Sequence, residues 1–182
     1  MQNITTTRRS FLCRSVQVAV GLACCSPVTG GTSTRNKRSL SFYHTHTGEA
    51  LDITYAGDGR YDPAALKRID KYLRDFRTGE IHPIEPELLD ILWTVQHDLG
   101  SYGVFEVISG YRSPWTNKHL RKNSDGVARK SLHMEGRAID VHLTGVKTCD
   151  MQKCAIGLKC GGVGYYPKSN FIHLDTGRVR AW

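Results

Sequence analysis

Residues 137–143 alternate cleanly, with Ala138, Asp140 and His142 on one side of the pattern and Ile139, Val141 and Leu143 on the other. Side chains two apart on a strand share a face, so the segment predicts a strand with an aliphatic inner face and a polar face bearing Asp140 and His142. Residues 171–175 repeat the arrangement: Ile172 and Leu174 point inward, with Phe171, His173 and Asp175 opposite. Ser39 to Tyr43 and Leu51 to Tyr55 flank Thr47-Gly48-Glu49 and read as a hairpin with His46 near its tip. Helical spacing follows. Asp62-Pro63 supplies an N-cap and first turn ahead of Leu66, Ile69, Leu73 and Phe76. Pro86 opens a second helix whose Leu89, Leu92, Trp93 and Leu99 face the core, and Gly100 ends it. Val104 to Ile108 predicts a short strand, Trp115 to Arg121 a third helix, and Asp150 to Lys159 a fourth with Cys154, Ala155 and Leu158 on its apolar stripe.

The 182 residues suit one compact domain preceded by a segment that does not read as folded. Thr7-Arg8-Arg9-Ser10-Phe11-Leu12, followed by the mildly apolar run from Val16 to Ala23, is a twin-arginine export pattern, so residues 1–30 are assigned to a signal peptide. The apolar run is shorter than the roughly twenty residues that a membrane-spanning helix needs, which argues against a transmembrane span in the mature chain. Leu22-Ala23-Cys24-Cys25 resembles a lipoprotein site only loosely, because Cys24 occupies the place of a small residue; the expected location is the periplasm, with a lipid anchor as the alternative. Residues 31–39 read as a Gly, Ser, Thr and Lys-rich linker, and the folded domain is expected over 40–182. The formal charge of +8 is concentrated at the front: six of the 25 Lys and Arg residues lie in residues 1–38, which hold no acid. The 19 that remain face 17 acidic residues, a balance of +2 that gives no reason to expect a nucleic-acid partner.

Candidate chemistry sits on the two polar strand faces and the loop before the first of them. Ser131-Leu132-His133-Met134-Glu135-Gly136-Arg137-Ala138-Ile139-Asp140 is answered by Phe171-Ile172-His173-Leu174-Asp175. If the two strands are neighbours, His133, Asp140 and His173 converge. Two imidazoles and one carboxylate are the ligand set of a zinc site that keeps a coordination position open. Such ligands without thiolate suit zinc best, with cobalt, manganese or nickel able to occupy the same donors. Cys149, Cys154 and Cys160 lack a paired C-x-x-C spacing and read as packing residues or incidental thiols.

The Ser-x-His-x-x-Gly-x-Ala-x-Asp run, the later His173 and the upstream Ser109-Gly110-Tyr111-Arg112-Ser113 resemble the zinc metallopeptidases of the D-Ala-D-Ala peptidase and hedgehog-like group. Within that group, His46-Thr47-Gly48-Glu49, Gly161-Gly162-Val163-Gly164-Tyr165-Tyr166-Pro167, Asp175-Thr176-Gly177 and Trp182 resemble the murein endopeptidase branch. The resemblance runs from about residue 40 onward. It implies an α+β fold, a small antiparallel sheet with the zinc site on one face and helices packed on the other. It also implies a peptidase acting on peptidoglycan peptide stems, including 3-3 links between diaminopimelate residues. Two alternatives remain open: a D-Ala-D-Ala carboxypeptidase or dipeptidase, and a zinc-stabilised peptidoglycan-binding module without turnover.

The resemblance further implies metal-assisted hydrolysis, with zinc on His133, Asp140 and His173 and with Arg112 supporting the charge that develops on the attacked carbonyl. The dipeptidase branch carries a Glu three residues before the last His, where this chain has Asn170, and Asn cannot serve as a base. Asp175 is the first candidate for that role or for orienting a ligand, His142 the second and Glu135 the third.

Overall fold

The computed structural model describes residues 37–123 and 127–182; the signal-peptide reading of residues 1–30 and most of the linker lie outside them. Strands β1 (Arg38–His44) and β2 (Ala50–Gly57) form the expected hairpin, followed by a short β3 (Arg60–Tyr61). Helices α1 (Pro63–Tyr72) and α2 (Pro86–Asp98) lead into β4 (Phe105–Ser109), α3 (Pro114–Asn123), β5 (Ala138–Leu143) and α4 (Thr148–Leu158). Strands β6 (Gly162–Tyr166), β7 (Phe171–Asp175) and β8 (Arg180–Ala181) complete the chain. β1 begins ahead of Leu40, so Arg38 and Ser39 belong to the sheet and not to the linker. Arg38 is fixed there by a 2.5 Å ion pair with Asp90 and by the rings of Tyr55 and Tyr61, 5.7 and 5.3 Å from its guanidinium carbon.

All eight strands join one sheet in the order β3-β2-β1-β4-β5-β7-β6-β8. The α+β class is as expected, and the sheet is larger than expected and mixed: β1 pairs with β4, and β6 with β8, in parallel. The central pairs β4 with β5 and β5 with β7 are antiparallel. Helices α1, α2 and α4 pack against the sheet, whereas α3 stands beside the polar face and lends Leu120 to the cleft described below.

The core forms where the aliphatic strand faces meet the helices. Leu40, Phe42, Phe105, Val107, Ile139, Val141, Ile172 and Leu174 are buried against Ile69, Leu88, Leu92, Val95 and Met151. Each fully buried aliphatic side chain contributes on the order of 2 kcal/mol, which fixes the strand registers that present the opposite face. Asp62 caps α1 by accepting the Ala64 N–H at 2.8 Å, and Pro63 takes the first turn. The helix stops at Tyr72, short of Phe76. Asp75 captures the Arg77 N–H on its side chain and the Gly79 N–H on its carbonyl, and this turn carries Phe76 onto the ring of His46, 4.4 Å away and stacked.

Candidate metal centre

Sheet register builds the site. β5 and β7 are nearest neighbours, with Asp140 directly opposite His173. His133 arrives from the 3-10 turn Leu132–Glu135 ahead of β5, which Gly136 closes at a φ of 67°. A Cβ at position 136 would lie 2.0 Å from the Pro83 carbonyl oxygen, so close approach and positive φ both demand glycine there.

The ligand atoms of His133, Asp140 and His173 all lie within 4.8 Å of one another. His133 Nε2 is 3.3 Å from Asp140 Oδ1 and 3.2 Å from His173 Nδ1, which is itself 2.9 Å from the same carboxylate oxygen. The far nitrogen of each ring is already engaged. His133 Nδ1–H donates to the Gly110 carbonyl at 2.8 Å, and His173 Nε2–H donates to Asp175 Oδ2 at 2.9 Å. For neutral rings those partners assign the tautomers, so that with His173 deprotonated the lone pairs of His133 Nε2 and His173 Nδ1 aim at the same point as Asp140. Two neutral imidazoles with pinned far nitrogens and one carboxylate, free of thiolate, fit a divalent transition metal.

Charge in the site follows from burial and neighbours. Burial opposes ionisation of Asp140, but His133 and His173 beside it hold its carboxyl well below the usual carboxylate range. Burial lowers the pKa of His133, and Asp140 only partly offsets this. Burial also opposes a proton on His173, yet the carboxylates of Asp140 and Asp175 on either side outweigh it and raise the group to about 9. Without a metal, the proton therefore rests on His173, and a metal must displace it.

Asp175 does not offer the free carboxylate expected of a base. Its side chain has no exposed surface. Oδ1 accepts from the N–H groups of Gly162 and Gly177 and from Arg180 Nη1, at 3.1, 2.8 and 3.0 Å. Oδ2 accepts from Arg180 Nη2 at 2.6 Å as well as from His173. Burial alone would raise its pKa, and these donors reverse that and hold it well below the usual range. His142 is also displaced from the expected place: it does not line the cleft, and its Nδ1 lies 3.3 Å from Thr148 Oγ1, whose hydroxyl donates to Asn170 Oδ1. Glu135 is exposed and accepts from Arg137 Nη1 at 3.2 Å.

Arg112 lies beside Asp140 at the edge of the cleft. Its Nη2 donates to Asp140 Oδ2 and to Ser109 Oγ, both at 3.2 Å, and its Nε is buried without a partner among the described residues. The loop is held from three sides: Tyr111 N–H donates to the Leu73 carbonyl, Arg112 N–H to the His133 carbonyl, and Ser113 N–H to Asp75 Oδ2. Cys149, Cys154 and Cys160 are unpaired thiols on or just after α4 and join no ligand cluster among the described residues.

The centre floors a cleft of about 650 Å³. Leu120, Val127, Ala128 and Leu132 line it together with Tyr166, Phe171 and Trp182. Periodicity pointed to neither the Gly110 carbonyl nor Arg180, since a backbone acceptor has no sequence signature and Arg180 sits on a two-residue strand.

A model of the M15 peptidases described as peptidoglycan L,D-endopeptidase MepK matches residues 32–182. The chain is 39% identical over 183 residues to peptidoglycan L,D-endopeptidase MepK of Escherichia coli (strain K12), covering 100% of both proteins. It is 41% identical over 167 residues to the probable peptidoglycan L,D-endopeptidase MepK of Haemophilus influenzae, covering 91% of this chain and 90% of that one. On the family match and these similarities, the chain belongs to the M15 peptidase family of MepK-type peptidoglycan L,D-endopeptidases.

Proposed function

We propose that the protein is a zinc-dependent peptidoglycan endopeptidase that hydrolyses peptide cross-links between stem peptides, 3-3 diaminopimelate links among them, after export to the periplasm. The observation that carries this reading is the convergence of His133 Nε2, Asp140 and His173 Nδ1 in an open cleft, with both far imidazole nitrogens already bonded. Family membership and the names of the relatives support a peptidoglycan substrate. A zinc ion on these three ligands would polarise a peptide carbonyl and bring a water toward neutrality in its acidity.

The protein's own groups prepare the rest. Asp175, locked by Arg180 and two backbone N–H groups, keeps the proton of His173 on Nε2 and so keeps Nδ1 basic. The Gly110 carbonyl does the same for His133. Arg112, tethered to Asp140 by one amino group, lines the cleft, where its guanidinium charge supports the oxygen that gains charge or a substrate carboxylate. Asp175 thus orients a ligand and does not act as base, and His142 braces the Thr148–Asn170 corner ahead of β7.

Purified cross-linked muropeptides test this directly, incubated with the enzyme plus zinc, with chelator, and with the His133→Ala variant. Dimers should become monomers only in the first sample, and mass analysis of the released termini names the bond. Intact dimers in the zinc sample, with the metal bound, would refute hydrolysis of cross-links.

A further inference from the structure

One wall of the cleft is aromatic and carries no assigned role. Tyr166 and Phe171 stack at 4.6 Å across the β6–β7 turn, and Trp182 Nε1–H donates to the Tyr166 hydroxyl at 3.2 Å. The Trp182 ring lies 5.3 Å from that of His173, a metal-ligand candidate. It is held flat against the sheet: a Cβ at Gly164 would come within 2.8 Å of the indole, and the Arg180 guanidinium carbon lies 4.9 Å from the ring. Arg180 also clamps Asp175, so the wall and the oriented His173 share one anchor. Despite this tight seating, Trp182 is 50% and Tyr166 37% exposed, and both line the cleft. Rigid aromatic surface left open beside a reaction centre is a surface for a ligand.

The chemistry of the wall selects among substrate residues. It is apolar and flat, and Leu120 and Leu132 line the same cleft together with the cations of Lys130 and Arg180, so it suits a run of methylenes that ends in an anionic group better than a lone methyl group. Resting on the peptidase reading above, we infer that Trp182 and Tyr166 are specificity-determining residues. They hold the methylene chain of a diaminopimelate side chain flanking the scissile bond and so favour 3-3 links over 4-3 links, which place alanine on the donor side.

The test compares the zinc-loaded full chain on 3-3 and 4-3 muropeptide dimers. Trp182→Ala should raise KM for the 3-3 dimer by about tenfold or more, with a smaller effect on kcat and on the 4-3 dimer, and Trp182→Phe should recover most of the loss. The visible spectrum of the cobalt-substituted centre should not change. The Trp182 backbone bonds to Val163 and Tyr165, so Tyr166→Ala serves as an independent variant that should shift the same preference. A loss equal on both dimers, one confined to kcat, or no loss overturns the inference. If the unaltered enzyme cleaves neither dimer, the peptidase reading fails, and calorimetric binding then judges the wall alone. A stem tripeptide ending in diaminopimelate should bind about tenfold tighter than one ending in alanine, and Trp182→Ala should erase the difference. Equal affinities would overturn the role of the wall.

Discussion

His44 and His173 are strand histidines on the same sheet, one buried and one partly buried at the cleft, and their surroundings drive them in opposite directions. His44 ends β1 with 1% exposure, with the rings of Tyr72 and Phe76 at 6.1 and 5.4 Å and with Nε2 lacking a partner among the described residues. Burial, together with nearby His46, lowers its pKa to about 4, so it is a neutral core residue. His173 also feels burial, but carboxylates on both ring nitrogens raise it to about 9. The difference is the carboxylates. A pair of histidines becomes a candidate metal centre when acidic groups fix the tautomer and complete the donor set, and the His44–His46 pair has neither.

The largest expected effect breaks the comparison at its centre. Asp140→Asn should remove metal binding in an equilibrium titration and lower cross-link hydrolysis about a thousandfold or more, with the far-ultraviolet dichroism retained. His44→Phe should leave hydrolysis near the unaltered level; loss of activity with an intact fold would give that second cluster a role it lacks here. Arg112→Ala should lower kcat by about 100-fold to 1000-fold while metal content stays full, because Nη2 supports Asp140 from outside the donor set. Asp175→Asn should weaken metal affinity by about 10-fold to 100-fold in chelator competition, since the amide can present an N–H to His173 Nε2 and disturb its tautomer.

Acidity separates the two histidines most finely. The folded-state pKa of His173 is raised from 6.5 to about 9, so in the metal-free protein its stabilisation is full below 6.5 and disappears as pH rises through 9. The folded-state pKa of His44 is lowered from 6.5 to about 4, so its contribution is full above 6.5 and is lost as pH falls through 4. Thermal midpoints of the chelated protein should therefore fall on both sides. Added metal should flatten the alkaline limb, and His44→Phe should flatten only the acid limb.

Much of the centre was legible because β5 and β7 are each apolar on one face and polar on the other. A period of two then dictates that Asp140 and His173 share a side, and only their adjacency had to come from the sheet. The end of α1 was misread at Phe76 because the local turn made by Asp75 competes with helical spacing and wins. Asp175 stands on the polar face, as the alternation predicts, but the choice between base and ligand orienter is not legible in the sequence, because its saturation depends on Arg180 and on two backbone N–H groups from separate segments. His142 shares a face with Asp140, but that face extends beyond the cleft, and alternation does not report where a cleft ends.

The parallel contact between β1 and β4 also bears on the order of assembly. The hairpin edge of β1 remains without its neighbour until residues 105–109 have been made and docked, a pairing distant in sequence and therefore slow to form. Gly110 follows directly on β4, and the Tyr111 N–H fastens that corner to the end of α1. Docking of this one strand thus closes the first half of the sheet and sets in place the carbonyl that will decide the tautomer of His133. The first half of the sheet supplies the means to orient His133, and the second half supplies Asp140 and His173.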